Sequence, residues 1–370
     1  MDNSKAAKPS EHQRVEFPNA LTNPNQQSLY AWIRQHLILF WLYFLWIFGV
    51  GFHVYMELYA AVSIVRVTLS YVSGTDSVLV PRQVQLYLMF LMMYHAYHYV
   101  MYRCTPQPGW LSLRNFCRQS LAKYPYFRHQ ACILEEREEE CLAKPFEPMV
   151  PPSDKAMFAY HPHGVLSCAW AVNGVQSMRF ALSEARWLVA EGFFWFPVIG
   201  DISRWIDAWD VSKRRMVGYM KENRNVCLLP GGFEEATLFQ HGKHRVYIKK
   251  RAGFIKLALQ HGYKVHPVYT FGEELTYRTL PFFLTQRLLL NQWKVPGVVF
   301  FGRLLCFFMP LRDLNLVTVV GKPLILPQID NPTREDVGKY HKIYIEALES
   351  LFERHKHKYA ADPSMSLEVY

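Results

Sequence analysis

Hydrophobicity along the chain is uneven, and the unevenness organises it. No Asp, Glu, Lys or Arg occurs from residue 35 to 56 or from 83 to 102, and each run is long enough for a helix to cross roughly 30 Å of hydrocarbon. The pattern predicts two membrane helices. Between them Glu57, Arg66, Asp76 and Arg82 interrupt a shorter apolar stretch and Ser73-Gly74-Thr75-Asp76 offers a turn, so the pair reads as a hairpin or as two full spans. Residues 103–143 mix aromatics and charges in the manner of amphipathic helices at a membrane surface. The acidic run 135–140 reads there as a solvated helix face. Pro145, Pro148, Pro151 and Pro152 break helical structure and mark entry into a further region. The predicted organisation is a polar tail (1–34), a membrane-embedded helical region (35–102), an amphipathic connecting segment (103–152) and an α/β domain ending in a helix (153–370).

Within that last region two apolar runs end at loops that can carry chemistry. Ala156-Met157-Phe158-Ala159-Tyr160 leads into His161-Pro162-His163-Gly164, a strand, loop, helix pattern that holds an imidazole at the rim of a sheet while Gly164 permits close backbone approach. A histidine so placed suits general-base work, because its ordinary pKa lets it take and return a proton near neutrality. A capping or core histidine, or a His-x-His metal half-site, fits the tetrad equally well. The second loop follows Val226-Cys227-Leu228-Leu229 and reads Pro230-Gly231-Gly232-Phe233-Glu234-Glu235. Loops at the carboxyl ends of parallel strands converge on one crevice. Backbone N–H groups around Gly231 and Gly232 could form an oxyanion hole, and Glu234 or Glu235 could orient a histidine; acidic residues also favour helix starts for dipole reasons alone.

Composition narrows the choice. The chain has 370 residues, 51% hydrophobic, and a formal net charge of +10, with basic clusters at Lys213-Arg214-Arg215, Lys243-His244-Arg245 and Lys249-Lys250-Arg251. A nucleic-acid binder would need a basic face with stacking aromatics and would rarely carry membrane segments; phosphates of a soluble cofactor-like substrate or of lipid headgroups are better partners for this charge. Seven cysteines without a Cys-x-x-Cys pair fit a reducing compartment. No cleavable signal pattern occurs in residues 1–34. Arg34 before the first apolar run, and Arg103, Arg114, Arg118, Lys123 and Arg128 after the second, place both outer ends in the cytosol. Residues 281–310, rich in Phe and Leu but broken by Arg287, Lys294 and Arg303, read either as an embedded acyl-binding element or as a buried part of the α/β core.

The two loops are joined by Arg251-Ala252-Gly253-Phe254-Ile255-Lys256-Leu257, then Gly262, Pro267 and Phe271-Gly272-Glu273. A fourth block, Val320-Gly321-Lys322-Pro323 with Pro327, Asn331-Pro332-Thr333 and a helical tail from Tyr340, follows. In this order the blocks, spanning about residues 151–359, resemble the type 2 diacylglycerol acyltransferase family, which also holds monoacylglycerol acyltransferases and wax-ester synthases. The resemblance implies a glycerolipid-acyltransferase-like α/β catalytic domain preceded by transmembrane helices or a helical hairpin. It implies transfer of an acyl group from acyl-CoA to diacylglycerol, giving triacylglycerol, with acyl-CoA a co-substrate and no cofactor or metal. The membrane implied is that of the endoplasmic reticulum or a lipid droplet, with the catalytic domain cytosolic; oligomerisation stays open.

Through the same resemblance His163 is preferred as base, with His161 shaping the loop or sharing the role. Glu235 is the supporting carboxylate by its Gly-Gly-x-x-Glu spacing, and Gly164, Gly231 and Gly232 are loop or oxyanion residues. Pro162, Lys213, Arg251, Gly253, Phe254 and Glu273 are substrate-contact candidates. A thiol leaving group needs less acid assistance than an amine, so one histidine can suffice. The His-x-x-x-x-Asp signature of the broader glycerolipid acyltransferases is absent, since Leu166 and Cys168 stand at the acidic position counted from His161 and His163. Lys213 occupies a place where Arg is expected. Two rivals have different chemistry: a metal enzyme using His161 and His163 with His95 and His98, and a catalytically inert lipid carrier on the same fold.

Overall fold

The computed structural model describes residues 28–74, 78–102, 109–138, 141 and 147–370. The polar tail up to residue 27, the end of the expected turn at 75–76, Arg103, Pro145 and residues 139–140 of the acidic run lie outside the described residues.

Among the described residues one helix is long and apolar enough to cross a membrane, where the sequence predicts two. This helix, α1 (Leu29–Ser73), runs for 45 residues, about 67 Å at 1.5 Å per residue. Ser28 caps its start by accepting from the Ala31 N–H at 3.2 Å, and Gly74 ends it in the left-handed conformation. The first predicted span therefore continues through Glu57 and Arg66 instead of stopping at Met56. The second, α2 (Arg82–Tyr102), is a 21-residue helix. Gln83, Gln85, His95, His98 and its tyrosines make it less apolar than its lack of formal charge suggests.

The connecting segment departs further from expectation. It forms a helix, α3 (Leu111–Lys123), and then a strand, β1 (His129–Leu134), that joins the edge of the main sheet. Eleven more strands follow: β2 (Ala156–His161), β3 (Arg186–Val189), β4 (Ala208–Asp210), β5 (Val226–Leu228), β6 (His244–Val246), β7 (Lys264–Phe271), β8 (Arg278–Thr279), β9 (Phe300–Phe301), β10 (Asn315–Val320), β11 (Leu324–Ile325) and β12 (Leu367–Val369). The eight-stranded sheet has the order β1-β10-β7-β2-β5-β3-β4, with β11 also paired to β7. Strands β7, β2, β5, β3 and β4 are mutually parallel, whereas β10 and β11 run against β7. All six residues of β2 are buried. A parallel strand covered on both faces needs such an uninterrupted apolar run.

The helix Arg334–Tyr359 opens on a Thr333/Asp336 capping box and buries Tyr344, Leu348, Leu351, Phe352 and His355, one stripe at helical spacing. Its Phe352 stacks on Phe271 of β7 at 5.6 Å between ring centroids. At the other end of the chain, α1 buries Gln35, Leu39 and Tyr43. The Tyr43 hydroxyl donates to Cys168 Sγ at 3.2 Å, so the long apolar helix packs on the segment that follows β2. Residues 281–310 are divided: Phe308 and Met309 are buried in the cluster that also holds Leu39 and Tyr43, whereas Phe282, Phe283, Trp293, Leu304 and Leu305 are exposed and leave an apolar outer surface.

Asn225 fastens the amino ends of three central strands. Its Oδ1 accepts from the Ala156 N–H at 3.0 Å, its Nδ2 donates to the carbonyls of Pro151 and Ser183 at 2.9 and 2.8 Å, and its own carbonyl accepts from the Arg186 N–H. The side chain is wholly buried. Asn225→Ala strands one donor and two acceptors, and the expected cost is about 2–4 kcal/mol. Thermal unfolding of the purified chain in detergent checks this: an unchanged midpoint would contradict it.

Candidate active site

His161 is the last residue of β2, and the helix Gly232–Leu238 springs from the end of the neighbouring strand β5. Adjacent parallel strands thus deliver the histidine tetrad and Glu235 to the same rim. The Glu235 carboxylate is 2% exposed and collects four contacts. Its two oxygens lie 3.1 Å from His161 Nδ1, Oε1 accepts from the His163 backbone N–H at 2.6 Å, and Oε2 accepts from the Tyr247 N–H at 2.7 Å. Gly231 makes room for it, because a Cβ there would stand 2.1 Å from Glu235 Oε2.

The two histidines differ in what remains free. His161 is fully buried, with Nδ1 on Glu235 and Nε2 3.1 Å from the Tyr344 hydroxyl. Both of its nitrogens are engaged by groups of the fold. The His163 ring is partly exposed. Its Nδ1 stands 3.0 Å from the Gly164 carbonyl oxygen, with Ser167 Oγ at 3.3 Å. A carbonyl only accepts, so Nδ1 carries the hydrogen and the lone pair sits on Nε2. Among the described residues Nε2 has no hydrogen-bond partner. Burial lowers the pKa of His163, and the Gly164 carbonyl and the Glu235 charge pull it the other way without prevailing.

A second buried carboxylate supports the loop from below. Glu273 Oε1 accepts from the Cys168 N–H at 3.1 Å and Oε2 from the Ala169 N–H at 2.6 Å. Burial pushes its pKa up to about 8 against the pull of those two N–H groups. Gly164 lies directly on this carboxyl group in the left-handed region, with φ at 68°.

The remaining sequence candidates are placed unevenly. Pro162 is buried between the histidines. The Gly232 N–H is already given to the Leu229 carbonyl at 3.2 Å, which leaves the N–H of Gly231 as the freer donor of the pair. Arg251 forms an ion pair with Glu234, the neighbour of Glu235, and lies 5.7 Å over the Tyr247 ring. Gly253 opens the helix Gly253–His261, and Phe254 packs edge-on to Tyr344 at 5.0 Å. Phe254 is thus a buried support behind His161, and Glu273 a buried support beneath the loop. Lys213 is exposed just beyond the carboxyl end of β4, three strands from β2 and so roughly 14 Å across the same rim.

His98 pairs with Asp201 at 3.3 Å, so α2 does not bring it to the tetrad. Among the described residues no group of three or more His, Cys, Asp or Glu side chains is arranged to hold a metal ion. Two participants escape sequence reasoning: the hydroxyl of Tyr344 and the backbone N–H of Tyr247. Tyr344 sits in an apolar helical stripe and reads there as a core aromatic, and a backbone donor leaves no mark in the sequence.

Gly164→Ala would put a methyl group 1.9 Å from Glu273 Oε1 in a backbone conformation that alanine resists. The expected cost is roughly 2–4 kcal/mol. It is read as a drop in unfolding midpoint, and a variant as stable as the parent would mean the loop can rebuild without Glu273.

Residues 141–370 match the family model described as diacylglycerol acyltransferase. Diacylglycerol O-acyltransferase 2 of Dictyostelium discoideum is 32% identical over 235 residues, covering 59% of this chain and 71% of that protein. 2-Acylglycerol O-acyltransferase 3 of Homo sapiens is 33% identical, covering 56% and 66%. Acyl-CoA wax alcohol acyltransferase 2 of Homo sapiens is 30% identical, covering 59% and 71%.

Proposed function

We propose, from the premise that this chain belongs to the diacylglycerol acyltransferase family and is an acyltransferase, that it moves an acyl group from acyl-CoA to the free hydroxyl of diacylglycerol. The observation that carries the mechanism is the pair of histidine environments: His161 is spent on Glu235 and Tyr344, while His163 keeps one nitrogen open. Nε2 of His163 takes the proton of the acceptor hydroxyl as that oxygen attacks the thioester carbonyl. The tetrahedral intermediate collapses by breaking the carbon–sulfur bond, and His163 returns its proton to the departing thiolate. A thiolate needs little help to leave. The N–H of Gly231, which lacks the bond that Gly232 makes to the Leu229 carbonyl, is the donor assigned to the oxyanion.

Glu235 acts on His163 through the backbone, by holding its N–H, and on His161 through the ring. Arg251 and Lys213 are the cations assigned to the phosphates of coenzyme A, which would compete with Glu234 for Arg251. The reaction draws on no metal or cofactor. Diacylglycerol is preferred as acceptor because the Dictyostelium relative carries that activity in its name, although similar relatives are named for 2-acylglycerol and for wax alcohol. The helix α1 supplies the membrane anchor, and the endoplasmic reticulum is the membrane proposed.

Membranes containing the parent chain or His163→Ala, given labelled acyl-CoA and separately diacylglycerol, monoacylglycerol or a long-chain alcohol, test this directly. The parent is expected to make triacylglycerol, and the variant at equal abundance to lose at least about a hundredfold. Full activity in the variant removes the base assignment; wax ester or diacylglycerol as the sole product keeps the base and removes the acceptor.

The pH profile provides an independent check. A base with a lowered pKa stays unprotonated to lower pH, so kcat/KM should fall only as the pH drops through a midpoint below the ordinary 6.5. An acid limb centred at or above 6.5 would mean that another group limits the rate.

A further inference from the structure

Ser167 stands where a helix N-cap is expected: residues 168–175 are helical, and its carbonyl accepts from the Ala171 N–H at 2.9 Å. A serine in that place ordinarily has extended backbone and turns its hydroxyl onto the second or third N–H of its own helix. Here it does neither. Its φ is 50°, in the left-handed region, which strains any residue with a side chain and persists only where the surroundings over-determine it. The N–H groups of Cys168 and Ala169 at the helix start go instead to the Glu273 carboxylate, at 3.1 and 2.6 Å.

With the capping task taken over by Glu273, the Ser167 hydroxyl is turned back on the loop that precedes it. Its Oγ lies 3.3 Å from His163 Nδ1, which is its one hydrogen-bond partner among the described residues. Ser167 is 8% exposed, so little water competes for the contact. The Gly164 carbonyl, 3.0 Å from the same nitrogen, fixes where Nδ1 sits but leaves the ring able to swing about that single contact. Two acceptors sharing one N–H hold the plane of the imidazole, and with it the direction of the Nε2 lone pair. The hydroxyl caps no helix and satisfies no backbone group, so the strained conformation is accounted for by where it sends that hydroxyl.

We propose that Ser167 is a positioning residue for His163: its hydroxyl accepts from the Nδ1–H, sets the plane of the imidazole, and stabilises the cation formed when Nε2 takes the proton of the acceptor hydroxyl. On that cation the N–H is a charge-assisted donor, so the contact strengthens as the proton arrives. The inference rests on the reading of His163 as the base.

The parent, Ser167→Ala and Ser167→Gly full chains, labelled in histidine and purified in detergent, are titrated by NMR, with His163→Ala identifying the His163 signal, and the same preparations are assayed for acyl transfer. Glu235, His161 and Glu273, the other titratable groups around the loop, are unchanged in both serine variants. Loss of an acceptor that favours the charged ring lowers its pKa. Both variants should therefore move the His163 titration to lower pH by roughly half a unit, and lower kcat about tenfold with KM little changed. Glycine takes a positive φ without strain, so Ser167→Gly should unfold at a higher temperature than Ser167→Ala and yet be equally slow. A His163 titration equal to the parent's in both variants, or a Ser167→Gly chain as fast as the parent, overturns the proposal. Where the alanine variant does not fold, the glycine variant decides. An active His163→Ala removes the base reading instead, and the ring titration still judges the hold of Ser167 on the imidazole.

Discussion

The carboxylate of Glu235 is the interaction on which the rest of the site depends. A buried carboxylate without partners costs several kcal/mol, and here the cost is met by donors from separate segments: the His161 ring, the His163 backbone and the Tyr247 backbone. The loop after β2, the helix after β5 and the chain leaving β6 are thereby tied to one point. Gly231 is required because any side chain there would occupy the carboxylate's place. The geometry of the exposed histidine is in this way set by the protein interior.

That arrangement divides the labour of two residues that look alike in sequence. His161 faces inward, closes on Tyr344 of the C-terminal helix and is backed by the Phe254 ring, so it relays the rigidity of the core. His163, one proline further on, points its hydrogen-bearing nitrogen at its own loop and leaves the other free. Glu273 holds the consecutive backbone N–H groups of Cys168 and Ala169 from beneath. A side chain held by this much surrounding structure has little conformational freedom left to lose.

The long apolar helix belongs to the same assembly. Tyr43 of α1 donates to Cys168, five residues beyond His163, so α1 and His163 sit on two sides of one short segment. Leu39 and Tyr43 are buried in the same cluster as Val165, Ala169 and Val172.

Much of this was legible before any coordinates. The glycine loops at Gly164 and at Gly231-Gly232 and the break into an α/β domain follow from short-range pattern, because a strand end, a glycine turn and a helix start are written within a dozen residues; the family and the choice of Glu235 came from the resemblance of four blocks in order. Charge counting served less well in the membrane region: it ended the first helix at Met56, although Glu57 and Arg66 sit within one continuous helix, and it overrated α2, whose Gln, His and Tyr side chains carry no formal charge yet resist hydrocarbon. It also missed that the connecting segment contributes β1 to the sheet, because an edge strand's partner, β10, lies far along the chain. By itself the sequence determined that the histidine tetrad and the Gly231-Gly232 loop each follow a strand and can share one rim. Only the tertiary structure decided which histidine is buried and which is open, since His161 takes its partners from Glu235 and Tyr344, 74 and 183 residues away, and no local periodicity records a contact made across a sheet.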